Sequence, residues 1–108
     1  MKNLLIIFFL FGILFLNSCT KNEKIESENI AVDQIERQMI RAYQEGMIAI
    51  KDQDYIEAAK KFNEAEILFP QSEWAPRSAL MAAYAYYYDD YYNRAISELL
   101  NFFKKYPN

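Results

Sequence analysis

Tyr55-Ile56-Glu57-Ala58-Ala59-Lys60-Lys61-Phe62-Asn63-Glu64-Ala65-Glu66-Ile67-Leu68-Phe69-Pro70 is followed, 37 residues later, by Tyr92-Asn93-Arg94-Ala95-Ile96-Ser97-Glu98-Leu99-Leu100-Asn101-Phe102-Phe103-Lys104-Lys105-Tyr106-Pro107. The shift lays Tyr55 on Tyr92, Ala58 on Ala95, Phe62 on Leu99, Phe69 on Tyr106 and Pro70 on Pro107. Apolar residues recur at three- and four-residue steps, the period of a helix with one buried face. The same shift lays Gly46 on Ala83, each 12 residues before the matched alanine. A bulky side chain there would push the two helices of a hairpin apart. Pro70 and Pro107 end the second helix of each hairpin, because proline lacks an N–H and clashes with the preceding turn. One helical hairpin is therefore written twice.

Working outward, Ile35, Met39, Ala42, Gly46, Ala49 and Ile50 make the stripe of a first helix, and Ala79, Ala82, Ala83 and Tyr86 that of a third. Asp52-Gln53-Asp54 and Asp89-Asp90 interrupt the pattern as turn formers or helix N-caps. The spacing predicts four helices, about 33–51, 56–69, 73–88 and 93–105, in an all-α domain. Two glycines and three prolines in 108 residues suit helices and starve β-turns. Glu57, Glu64 and Glu66 with Lys60 and Lys61 read as a solvated helix face. Trp74 reads as a wedge at the junction between hairpins.

The N-terminus is of another kind. Met1-Lys2-Asn3 supplies one positive charge, and Leu4 to Leu16 is apolar throughout apart from Gly12. This run is too short for a spanning helix, which needs roughly 20 apolar residues, and has the length of a signal-peptide core. It ends in Leu16-Asn17-Ser18-Cys19, which resembles the bacterial lipobox, with Asn17 where a smaller residue is usual. The resemblance implies cleavage before Cys19 and lipid on its thiol and new amino group, and more than one acyl chain makes anchoring stable. An aspartate after the lipid cysteine would favour the inner membrane. Thr20 stands there, so the outer membrane is expected. Thr20 to about Asn29 is polar and charged, and reads as a tether. The expected organisation is a signal peptide over 1–18, a lipidated N-terminus and tether over 19–32, and an incomplete repeat domain over 33–108.

Composition removes several functions. The net charge is −3 with Lys2 included, and basic residues are interspersed with acids. Nucleic acid needs a basic face to neutralise phosphates. There is no histidine and a single cysteine, which excludes Ser/His/Asp and Cys/His catalysis, an internal disulfide and most zinc sites. No paired acids lie in an apolar setting. The expectation is a binding protein with no enzymatic activity, cofactor or metal.

The small residue of helix one, the Tyr and Ala early in helix two, the large apolar residue a turn later and the closing Pro resemble the tetratricopeptide repeat, over Ile40 to Pro107. Glu45 stands where that family usually has leucine and Ala42 where it prefers an aromatic residue, and the extra residues fall between Pro70 and Ala83. A lipobox and tether followed by Phe69-Pro70-Gln71-Ser72, Ala83-Tyr84-Ala85-Tyr86-Tyr87 and Phe102-Phe103-Lys104-Lys105-Tyr106-Pro107 resembles the BamD family, lipoproteins of the outer-membrane β-barrel assembly machinery. Members of that family are longer and carry more repeats. The resemblance covers their N-terminal part and implies a scaffold and receptor for unfolded outer-membrane proteins, lipid-anchored at the periplasmic face beside the other subunits. Two alternatives share the pattern: a tetratricopeptide adaptor of cell-wall synthesis or division, and a glycan-binding lipoprotein.

In stacked helical hairpins the first helix of each lines the concave side. Ala79, Ala82, Ala83 and Tyr86 are expected to face the partner helix. Leu80, Tyr84, Tyr87 and Tyr88, with Arg77 a turn earlier, then fall on the other face. The repeat shift adds Ile40, Tyr43, Met47, Ile50 and Lys51. Such a surface suits an extended or partly helical peptide with aromatic anchors and a C-terminal carboxylate. The tyrosines serve packing between hairpins equally well. The last helix offers Leu99, Leu100, Phe102 and Phe103, more than one hairpin covers, so the array is expected to continue beyond Asn108.

Overall fold

The computed structural model describes residues 21–107, with side chains from residue 28 onward. All regular elements among them are helices: α1 (Lys21–Lys51), α2 (Tyr55–Leu68), α3 (Trp74–Tyr88) and α4 (Tyr92–Lys105). These are the tetratricopeptide-like hairpins expected from the repeat, α1 with α2 and α3 with α4. The chain divides into two compact units, residues 1–31 and 32–108. The expected signal segment and Cys19 lie outside the described residues.

One boundary differs widely. α1 begins at Lys21, inside the segment read as tether. No glycine or proline interrupts the chain between Thr20 and Gly46, and extending an existing helix costs far less than starting one. The segment still buries nothing: Glu28 to Gln38 are all exposed. Ile35, expected on the buried stripe, is among them, and the stripe starts at Met39.

Two apolar clusters hold the repeat unit together. Met39 and Ala42 of α1 meet Ala65 of α2, with Leu68, Phe69 and Trp74 closing the edge. Ala49 of α1, Ala58, Ala59 and Phe62 of α2, and Ala82 and Ala85 of α3 form the second. Phe62 is fully buried. Gly46 explains how α1 comes so close: a Cβ built on it would lie 2.8 Å from Phe62 Cε1. α3 packs on both α2 and α4, so its buried arc is wider than one stripe and includes Ala75, Ser78 and Ala85.

The hairpin turns repeat bond for bond. Asp54 N–H donates to Ala49 O and Gln53 N–H to Ile50 O; 37 residues on, Tyr91 N–H donates to Tyr86 O and Asp90 N–H to Tyr87 O. This six-to-one, five-to-two pairing is the Schellman helix ending, which requires a left-handed residue and favours glycine there. Gln53 (φ 59°) and Asp90 (φ 62°) occupy that position. Asp54 then caps α2, accepting the Glu57 N–H at 3.2 Å. Because a side chain in the left-handed region costs about 1–2 kcal/mol, Gln53→Gly is expected to raise stability by about 1 kcal/mol. In a domain of this size that is a melting shift of roughly 4–8 °C, readable by circular dichroism. An unchanged or lowered midpoint would contradict the turn geometry.

Candidate functional site

The structure separates the expected binding residues into two grooves. Ile40, Tyr43, Met47 and Lys51 of α1, with Gln44, Ile48 and Trp74, line a shallow groove of about 480 Å³. Its floor is firm, because the Tyr43 ring meets the rings of Phe62 and Trp74 edge-on, both at 5.2 Å. Its rim is open, with Met47 and Ile48 exposed. Lys51 stands at one end. The Arg77 guanidinium lies 5.1 Å from the centre of the Trp74 ring. Trp74 thus combines its expected packing role with a place in the groove. Ile50 packs partly buried against the second apolar cluster.

Leu80, Tyr84 and Tyr87 instead line a second groove of about 410 Å³, with Ala83 of α3 and Tyr92, Ala95, Ile96 and Leu99 of α4. Beside it the tyrosines stack. The Tyr88 ring lies 4.5 Å from Tyr84, 5.6 Å from Tyr87 and 5.7 Å from Tyr55, and Tyr87 lies 5.5 Å from Tyr92. Tyr88 therefore spends much of its ring surface on neighbours. Asp90 Oδ1 accepts the Tyr92 hydroxyl at 2.8 Å, which holds the phenol proton and pushes its pKa up.

Residues 35–108 match the family described as YfiO, outer membrane lipoprotein. The chain belongs to that family. The outer membrane protein assembly factor BamD of Caulobacter vibrioides is 36% identical over 72 residues, which are 67% of this chain and 24% of that protein. The chain thus spans about a quarter of the length of this curated relative. No solved structure matches. The stretch matched to the YfiO family contains every residue lining both grooves, so the grooves are features of the YfiO-type repeat unit.

Polar contacts of this YfiO-type unit depart from the sequence reading in one place. Glu66 leaves the solvated face: its Oε1 accepts Lys105 Nζ at 2.6 Å and the Tyr106 hydroxyl at 2.7 Å, clasping α2 to the end of α4. Burial, then the bond to Glu66, push the Tyr106 pKa up, so the phenol stays protonated. The other charges of that face behave as expected, Lys60 pairing with Glu57 at 3.2 Å. Lys61 bridges Glu45 at 2.7 Å and Glu64 at 3.4 Å. The bond to Lys61 lowers the Glu45 pKa and, reciprocally, raises that of Lys61. Glu45 departs from the repeat's usual leucine because here an ion pair joins α1 to α2 at that level. Spacing within single helices could not show these contacts, since each joins residues on different helices.

Proposed function

We propose that this chain is a lipid-anchored subunit of the machinery that assembles β-barrel proteins into the outer membrane, and that its repeat unit receives unfolded segments of those proteins. The observation that carries the reading is the family match over residues 35–108, supported by a relative named as an outer membrane protein assembly factor. Lipid on Cys19 would place the unit at the periplasmic face of the outer membrane. The groove of Ile40, Tyr43, Met47 and Lys51 supplies a chemistry that fits an unfolded client: an apolar, ring-lined floor takes a bulky side chain, and Lys51 and Arg77 offer cations to a terminal carboxylate. Leu80, Tyr84, Tyr87 and Tyr88 extend the receptive surface on the second hairpin, and Ile50 supports it from behind.

The test uses a labelled peptide taken from the C-terminus of an outer-membrane β-barrel protein, bound to the protein in detergent and followed by fluorescence anisotropy. Met47→Glu, which changes an exposed side chain, is expected to weaken binding about tenfold, the equivalent of one lost apolar contact. Lys51→Glu should weaken binding of the free-carboxylate peptide more than that of its amidated form. Equal affinity of both variants and the parent chain for both peptides would remove the groove from the account.

A further inference from the structure

α4 carries an apolar stripe that nothing described covers. Ile96, Leu99, Leu100 and Phe103 fall at successive three- and four-residue steps, so they share one face. All four are exposed, Phe103 at 69% and Leu100 at 65%. The stripe borders the groove of Leu80, Ala83, Tyr84 and Tyr87.

The internal repeat shows what this face does in the first hairpin. Ile96 and Leu99 correspond to Ala59 and Phe62, which are fully buried beneath Ala82 and Ala85 of α3. Leu100 and Phe103 correspond to Asn63 and Glu66. The second hairpin is therefore more apolar on this face than the first, and its seat is wider than the one α3 fills. An occupant needs apolar side chains on both sides of its own contact line. α4 itself has that property.

Charge favours the same occupant. The acidic turn of Asp89 and Asp90 lies at the start of α4, and Lys104 lies at its end. Two α4 helices crossing antiparallel near Leu99 and Leu100 bring each Phe103 toward the other's Ile96, and each Lys104 toward the other copy's acidic turn. The helix dipoles then also oppose head to tail. A contact of this kind closes on itself by two-fold symmetry and leaves no second sticky edge. We propose that two copies of this chain pair through α4, each laying its Ile96–Phe103 stripe into the other's groove between α3 and α4.

Disulfide trapping in membranes tests this with the whole chain. Leu100→Cys changes an exposed residue next to the two-fold axis, and mild oxidation is expected to give a species of twice the mass. Lys60→Cys, on the exposed face of α2, should give none. Adding Lys104→Glu to Leu100→Cys should cut the trapped dimer about threefold to tenfold, because both symmetric charge contacts change sign. Absence of the Leu100→Cys dimer overturns the proposal, as it would if a further helix or another protein filled the seat. So does trapping as efficient at residue 60 as at residue 100. The peptide-binding groove on α1 does not enter this measurement, so either reading can fail alone.

Discussion

Phe62→Ala is expected to remove about 3–5 kcal/mol of stability, the usual cost of emptying a buried aromatic site. Phe62 is the largest fully buried side chain of the repeat unit. It touches every layer: Gly46 of α1 abuts its ring, Ala58 and Ala59 flank it on α2, and Ala82 and Ala85 close it from α3. The surrounding side chains are alanines, which have no length with which to refill the space. The Tyr43 ring, which rests edge-on against Phe62 at 5.2 Å, loses its support as well. Small domains hold only about 5–15 kcal/mol in total, so the variant should be largely unfolded at modest urea concentration. Urea titration followed by helical circular dichroism measures it. A loss below about 1 kcal/mol would mean that the ring is not the keystone between the hairpins.

Gly46→Leu should cost about 1–3 kcal/mol by overpacking, and it acts on the same contact. The first carbon of any side chain would already sit 2.8 Å from Phe62 Cε1 and 3.0 Å from Cδ1 and Cζ. Replacing glycine inside a helix returns about 1 kcal/mol, which offsets only part of the clash. Ala83→Leu, the same change in the second repeat, should cost less, because Ala83 borders the open groove beside Leu99. The two repeats hold complementary pairs: Gly46 with the large Phe62, Ala83 with the smaller Leu99. Gly46→Ala combined with Phe62→Leu copies the second pair into the first hairpin. The double variant should therefore be more stable than the two single losses add up to, by about 0.5–3 kcal/mol of coupling. Strict additivity would contradict a direct Gly46–Phe62 contact.

The parts of this fold that local chemistry controls could be read from the chain. Pro70 and the acidic turns placed the ends of α2, α3 and α4 within a residue, since a missing N–H and a capping carboxylate act where they stand. The 37-residue shift matched the two hairpins down to the backbone bonds of their turns. Contacts between helices were harder to read. Glu66 looks like one acid in a charged face until α4 folds back and offers Lys105 and Tyr106. Tyr55 and Tyr92 were visible as repeat markers, but their rings join a tyrosine stack set by the ends of α3 and α4. The ten expected binding residues fell on one idealised face. In the structure, the junction at Trp74 and the wide burial of α3 divide them between a groove on α1 and a groove against α4. The start of α1 was missed for a different reason. Polarity says whether a segment can pack, and Lys21 to Ala31 is helical without packing evidence in its exposed residues.

Family membership and the two grooves point to one role, a repeat unit held near the outer membrane that works on unfolded barrel proteins in company with other subunits. The alternatives predict different company. A cell-wall adaptor would sit with synthesis or division enzymes, and a glycan-binding lipoprotein with sugar-processing proteins. The most direct measurement is capture of the tagged, lipid-bearing chain from gently solubilised membranes, with partners identified by mass spectrometry and compared with a Cys19→Ser control. The account predicts the barrel-forming subunit of the assembly machinery and unfolded outer-membrane proteins among the partners, both lost with Cys19→Ser. Recovery of cell-wall synthesis or division proteins in their place would contradict it.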